Sequence, residues 1–115
     1  MVNREVIGAH YGTRDWLAQR VTAVVMAVYT VFFVATLASL PQVDYAYWSA
    51  LWSLPVMRYA TLFFVLSVLY HAWVGIRNVL MDYVQHLGPR LVLHVVVIFT
   101  LIGYGMWAVQ TLWRL

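Results

Sequence analysis

A single histidine in the middle of a long apolar stretch is the residue best suited to chemistry in this chain. His71 lies midway between Arg58 and Val84, where that stretch begins and ends. Ionisable side chains at such depth are rare, and they usually face a protein interior or a ligand. Neutral imidazole is a common axial donor to haem iron or another metal. A neutral histidine hydrogen-bonded to a neighbouring helix is the other interpretation, and the residue type leaves both open.

Small and polar residues continue from His71 along one face of the predicted helix. At about 100° per residue they all lie within about 40° of His71. Gly75, one turn below the ring, leaves space for a flat macrocycle, although small residues also serve ordinary contacts between membrane helices. The residues of this face are Ser67, His71, Gly75, Asn78 and Asp82.

A carboxylate and a phenol follow at the end of the same helix. Asp82 and Tyr83 could hydrogen-bond and protonate a quinone head group arriving from lipid, or they could be a solvated acid beside an interfacial aromatic anchor. Arg20 is predicted at the same depth and could neutralise Asp82, a haem propionate or lipid phosphate. Arg77 is predicted to point away from the His71 face and to extend to the membrane surface.

The composition places these residues in a membrane protein. Of 115 residues, 64% are hydrophobic and 10% are charged, whereas soluble domains carry about a quarter charged residues. The length allows one domain. No cysteine is present, which excludes disulfides and thiolate metal ligands.

Three apolar runs are each long enough to cross a bilayer core, which requires about 20 residues. The sequence therefore predicts an all-α membrane protein with three transmembrane helices. The predicted segments are an N-terminal segment over 1–20, spans over 21–40, 58–80 and 91–112, loops over 41–57 and 81–90, and a tail over 113–115.

The connections carry local signals of their own. Thr13 is predicted to cap a short helical turn before the first span, and Pro89 to be the first residue of the third helix. The loop over 41–57 is predicted to hold an aromatic turn lying in the headgroup plane. Its face consists of Tyr45, Trp48, Leu51 and Trp52.

The arginines predict the orientation of the chain, since cytoplasmic loops carry an excess of basic residues. More of them flank the N-terminal segment and the 81–90 loop than the opposite side, which places the N-terminus in the cytoplasm and the C-terminus in the periplasm. The first group is Arg4, Arg14, Arg20, Arg77 and Arg90, and the second is Arg58 and Arg114.

His94 is the other histidine within a predicted span. Its depth differs from that of His71 by roughly 8 Å at 1.5 Å per residue, which is awkward for two axial ligands of one iron. A second axial ligand is therefore expected from another chain, and His94 is interpreted as a core or interface residue.

The segment HAWVGIRNVLMDY resembles the signature of the succinate dehydrogenase hydrophobic membrane anchor family, the smaller anchor of bacterial complex II. Members of that family have a mid-helix histidine followed, after ten residues, by Asp-Tyr, as His71, Asp82 and Tyr83 are arranged here. Gly75 also fits, and the likeness extends to the chain length, the three-span plan and the Arg20-Val21-Thr22-Ala23 start of the first span.

The resemblance implies specific roles for these residues. His71 would be one axial ligand of a b-type haem, with the other supplied by a larger cytochrome b anchor subunit. Tyr83 would hydrogen-bond a ubiquinone carbonyl, and Asp82 would help order that site through a basic residue of the partner. Gly75 would pack beside the haem, and Arg20 would lie near its propionates.

The resemblance also implies a division of labour among subunits in the bacterial inner membrane. A flavoprotein would oxidise succinate, an iron–sulfur subunit would carry the electrons, and ubiquinone would be reduced at the anchors, linking the tricarboxylic acid cycle to the respiratory chain. This chain would hold no catalytic centre of its own. Trimers of the four-subunit complex occur in the family.

Three other functions compete with this interpretation. A fumarate reductase-type anchor would use similar parts in the reverse direction. In a cofactor-free interaction protein, the His71 face would simply bind a partner helix. A small transporter subunit would be expected to carry a deep carboxylate or a broken helix, and neither is present in the three predicted spans.

Overall fold

The described residues of the chain form four helices, three of them long enough to cross a membrane. A computed structural model describes the backbone over 4–115 and the side chains over 13–115, and the described part contains no strand. The predicted all-α membrane architecture is confirmed, with candidate spans at Thr13–Ala38, Pro55–Tyr83 and Leu87–Arg114. In order, the helices are α1 (Arg4–Ala38), α2 (Tyr45–Ser53), α3 (Pro55–Tyr83) and α4 (Leu87–Arg114).

The first helix is longer than the sequence predicted. The expected short turn capped by Thr13 is wrong, because α1 already begins at Arg4 and runs without a break. No proline interrupts α1 before Pro41, which lies beyond its end. Threonine hydroxyls inside α1 donate hydrogen bonds to carbonyl oxygens of the preceding turn. Thr30, for example, donates to the Met26 carbonyl at 2.7 Å. That bond satisfies a polar group in an apolar helix.

The aromatic turn between the first two spans is a helix with a defined start. The Asp44 carboxylate accepts the Tyr47 backbone N–H at 3.0 Å and so caps α2. Tyr45 is 82% exposed, but Leu51 and Trp52 are buried. The predicted aromatic turn is thus a short helix, and two members of its aromatic face, Leu51 and Trp52, pack against the protein. Leu51 and Trp52 pack in the core cluster with Met57 and Leu112.

The link between α3 and α4 consists only of residues 84–86, shorter than the predicted loop over 81–90. The Val84 backbone N–H bonds to the Leu80 carbonyl at 2.9 Å, and the Arg90 Nε donates to the Val84 carbonyl at 2.9 Å. Since α4 begins at Leu87, Pro89 is within the first turn rather than at its start. Proline is tolerated there because that N–H has no helical partner.

The central element is α3, which packs along both α1 and α4 and also contacts α2. The molecule measures 64 × 30 × 20 Å, so the long helices form a thin layer rather than a closed bundle. Many large apolar side chains of the described residues face outward, including Val28, Phe63 and Phe99. Such a surface suits lipid or partner helices rather than water.

Candidate functional site at the α1–α3 interface

Polar side chains link α1 to α3 at three levels. On α1 they are Asp15, Thr22 and Tyr29, spaced seven residues apart, so they lie on one face of the helix. Each meets a polar partner on the antiparallel α3, with sequence numbers that decrease as the α1 numbers increase. The pairs are Asp15 with Arg77, Thr22 with His71, and Tyr29 with Thr61.

The contact between Thr22 and His71 determines which ring nitrogen of His71 carries the proton. The Thr22 Oγ1 lies 2.9 Å from Nδ1 of His71, and also 2.7 Å from the Ala18 carbonyl oxygen and 3.2 Å from that of Gln19. A hydroxyl has one proton to donate, and the close Ala18 carbonyl accepts it. The Thr22 oxygen then accepts the Nδ1–H of His71, which leaves the Nε2 lone pair available to a metal.

Gly75 lies one turn from His71, against α1 rather than in open space. A Cβ built on Gly75 would come 3.8 Å from the Gln19 Nε2, an ordinary contact distance. The Gln19 Oε1 is buried and has no hydrogen-bond partner among the described residues. The face predicted from the sequence therefore borders α1, and an unpaired amide oxygen lies beside it. Ser67, higher on that face, is also buried.

The ion pair at the end of the span was not predicted. Arg77 was expected to extend away from the His71 face to the membrane surface, but its guanidinium instead pairs with Asp15 of α1. Both side chains are about a quarter exposed. An opposite charge across the helix interface holds Arg77 more favourably than headgroup solvation alone, because the pair satisfies both groups in a partly dry environment.

Asp82 and Tyr83 remain open at the end of α3. Tyr83 is 80% exposed, Asp82 is also exposed, and neither forms a side-chain hydrogen bond within the described part of the chain. Arg20 does not pair with Asp82; its guanidinium lies 5.3 Å from the centre of the Trp16 ring, in cation–π contact. Asp82 and Tyr83 are therefore open to a partner or ligand.

His94 lies on the other side of α3 from this interface. Its Nδ1 is 2.7 Å from the Arg90 carbonyl oxygen, and its ring meets the edge of Trp73 at 5.8 Å between centroids. His71 is about twelve residues before the end of α3 and His94 about seven after the start of α4, a depth difference of roughly 8 Å. The two imidazoles are not brought together.

The chemistry of His71 at the α1–α3 interface is compatible with ligation of a haem iron. His71 presents a free Nε2 on a half-buried ring, as an axial ligand must. Among the residues searched, no cluster of three or more metal-ligating side chains occurs.

Three helices that are long and apolar enough to cross a bilayer define an integral, multi-pass membrane protein. Residues 2–107 match the family described as succinate dehydrogenase/fumarate reductase transmembrane subunit. The chain is also 39% identical over 102 residues to the succinate dehydrogenase hydrophobic membrane anchor subunit of Coxiella burnetii (strain RSA 493 / Nine Mile phase I), covering 89% of each chain. This chain therefore belongs to the succinate dehydrogenase/fumarate reductase transmembrane subunit family, as a membrane anchor subunit.

Sequence reasoning found His71 but missed its α1 neighbours. From the sequence, Thr22 belongs only to the Arg20-Val21-Thr22-Ala23 start of the first span, and Asp15 and Gln19 have no predicted role in a site. A signal existed, since Asp15, Thr22 and Tyr29 recur every seven residues. Polar residues at that period in an apolar helix indicate a face that packs against another helix.

Proposed function

We propose that this chain anchors a succinate dehydrogenase complex in the bacterial inner membrane, ligates haem b through His71 and forms part of a ubiquinone-reduction site. The observation that carries the proposal is the hydrogen bond between Thr22 and His71 Nδ1, which leaves Nε2 free. An imidazole with one bonded nitrogen and one bare nitrogen is the usual form of a metal-ligating histidine.

Haem ligation would be shared between two chains. His71 would supply one nitrogen ligand to the haem iron, and a cytochrome b anchor subunit would supply the other, in keeping with the depth offset of His94. Gly75 would pack beside the haem, and the exposed Arg20 would meet a propionate. A bound haem supplies a one-electron carrier inside the membrane.

The quinone site would lie at the end of α3. The Tyr83 phenol is exposed enough to donate a hydrogen bond to a quinone carbonyl oxygen. Asp82 is adjacent and open, so its carboxylate can hold a basic side chain of a partner and keep that site ordered. The cytoplasmic placement of this end rests on the arginine distribution.

The catalytic oxidation of succinate would take place in other subunits. With no cysteine, this chain cannot hold an iron–sulfur cluster through thiolates, so a flavoprotein and an iron–sulfur subunit are proposed as partners together with the cytochrome b anchor. Electrons would pass from succinate to ubiquinone and so connect the tricarboxylic acid cycle to the respiratory chain. The His71-to-Tyr83 motif favours this direction over fumarate reduction, and trimers of the four-subunit unit are the proposed higher assembly.

Purification of the tagged chain from membranes that also express its native partners tests the assembly. The expected product is red, contains three further subunits and reduces a ubiquinone analogue with electrons from succinate. A colourless product without soluble subunits would contradict the proposal and favour a cofactor-free interaction protein.

A conservative change at Tyr83 tests the quinone site. Tyr83→Phe removes the phenol oxygen, so we expect quinone reduction to fall by about tenfold or more, the loss of one functional hydrogen bond or proton donor. Haem absorption and succinate oxidation with a soluble electron acceptor should stay normal. Tyr45→Phe is the matched control, because Tyr45 is equally exposed, at 82% against 80%, but lies in α2. Normal quinone kinetics in Tyr83→Phe would exclude Tyr83 from the pocket.

A further inference from the structure

Thr22 is buried in the α1–α3 interface, with 9% of its surface exposed. Its oxygen lies 2.9 Å from His71 Nδ1 and 2.7 Å from the Ala18 carbonyl. Valine has nearly the same shape as threonine, but it would leave the His71 N–H without an acceptor in a partly buried position. A buried donor without a partner costs about 1–3 kcal/mol, so the hydroxyl matters at this position for more than its volume.

The order of the hydrogen bonds follows from the number of protons available. The Thr22 hydroxyl gives its proton to the Ala18 carbonyl, which has none to offer in return. The same oxygen can then serve His71 only as an acceptor. His71 is thereby held in the tautomer with the proton on Nδ1, and the chain of two hydrogen bonds polarises that N–H.

We propose that Thr22 is the positioning residue of His71. It fixes the tautomer and the rotation of the ring, keeps Nε2 directed away from α1, and makes the imidazole a stronger electron donor to a metal. The proposal rests on the proposed role of His71 as an axial ligand. Outer hydrogen-bond partners of ligating histidines generally fix ring orientation and raise ligand basicity in this way.

Two other polar contacts between α1 and α3 allow the effect of Thr22 on His71 to be tested without disrupting the pairing of the helices. The Asp15–Arg77 ion pair lies seven residues before Thr22 on α1, and the Tyr29–Thr61 hydrogen bond seven residues after it. Both remain when the Thr22 hydroxyl is removed, so the register of the two helices should survive. A change in haem properties would then report on the histidine rather than on misassembly.

Thr22→Val, compared with Thr22→Ser in the intact complex, tests the proposal. Thr22→Val keeps the shape and loses the acceptor, so we expect a haem midpoint potential more positive than wild type, shifted ferric EPR g-values and roughly tenfold faster haem loss. Thr22→Ser keeps the hydroxyl and should stay close to wild type. If Thr22→Val does not assemble, Thr22→Ala lacks the same oxygen with less bulk and should show the same shifts.

Two results would overturn the proposal. Wild-type potential, g-values and haem retention in the hydroxyl-free variants would show that His71 does not depend on Thr22. Equal changes in Thr22→Val and Thr22→Ser would assign the effect to packing, since the serine variant retains the hydrogen bond.

His71→Ala separates this proposal from the haem assignment. If His71→Ala leaves the haem spectrum unchanged, the axial-ligand role fails and the Thr22 proposal fails with it. If His71→Ala abolishes or alters the haem signal while the hydroxyl-free Thr22 variants match wild type, only the positioning role fails. If both hold, Thr22→Val should cause no further spectral change when added to His71→Ala, because the two residues act through one contact.

Discussion

The two faces of α3 that pack against other helices differ in chemistry. Towards α1, polar groups meet at three levels, with an ion pair, a threonine–histidine bond and a tyrosine–threonine bond. Towards α4, the contact is apolar around a groove of about 890 Å³. Leu69 approaches Gly105 there, and Trp73 meets His94 edge-on.

The difference shows which contacts decide how the helices pair and which contacts only pack their surfaces together. In a bilayer the hydrophobic effect does not favour one helix contact over another, so polar pairs and close packing decide which faces meet. The α1–α3 interface is fixed in register by its polar pairs and presents the free nitrogen of His71. The α3–α4 interface is mainly apolar and leaves a groove between the two helices. If His71 ligates haem as proposed, α1 and α3 are the pair of helices that hold the ligand, and α4 packs against the other face of α3.

The largest expected effect on stability comes from breaking the ion pair. Arg77→Gln leaves the Asp15 carboxylate without its partner, and we expect a loss of about 2 kcal/mol, between the values for exposed and fully buried pairs. Reversible denaturation in mixed detergent micelles measures the change in free energy of unfolding. The double variant Asp15→Asn with Arg77→Gln removes both charges and should recover most of that loss. Additive losses would show that the two groups do not interact.

A smaller effect is expected when matched alanines are placed on the two interfaces. In Gly105→Ala the new Cβ would lie 3.2 Å from the Leu69 Cδ1, and in Gly75→Ala 3.8 Å from the Gln19 Nε2. We expect Gly105→Ala to cost less than about 1 kcal/mol, because the leucine methyl can shift, and to leave the haem spectrum unchanged.

Gly75→Ala should show the opposite pattern. Its contact with Gln19 is relaxed, so stability should change by less than about 0.5 kcal/mol, but the haem absorption or potential should shift because the methyl lies one turn from His71. A normal haem spectrum in Gly75→Ala would remove Gly75 from the haem surroundings and leave it as an α1 contact. A changed haem spectrum in Gly105→Ala would contradict the separation of the two interfaces.

The helices and the mid-span histidine could be predicted from the sequence, but the contacts between helices could not. Long apolar runs predict three spans because a bilayer demands length and hydropathy, and a histidine in the middle of a span stands out among leucines and valines. Arg77 shows the limit. Its position on α3 can be derived from helical periodicity, but its partner Asp15 depends on the rotation and register of a second helix, which single-helix periodicity does not contain.

The ends of the helices illustrate the same limit at short range. Pro89 was expected at the first position of α4, but the helix starts at Leu87, since proline is compatible with any position in a first turn. Trp52 was expected at the membrane surface, but it is buried beside Phe33. Aromatic residues suit both an interface and a core, so composition alone does not separate the two.

The most direct measurement is the reduced-minus-oxidised visible spectrum of the intact complex with His71→Ala and, separately, His94→Ala. Each variant removes one imidazole, one from the α1–α3 interface and one from the α3–α4 interface. We predict that His71→Ala shifts or abolishes the b-type α-band and that His94→Ala leaves it as in wild type. An unchanged band in His71→Ala, or its loss only in His94→Ala, would contradict the assignment of the functional site to α1 and α3.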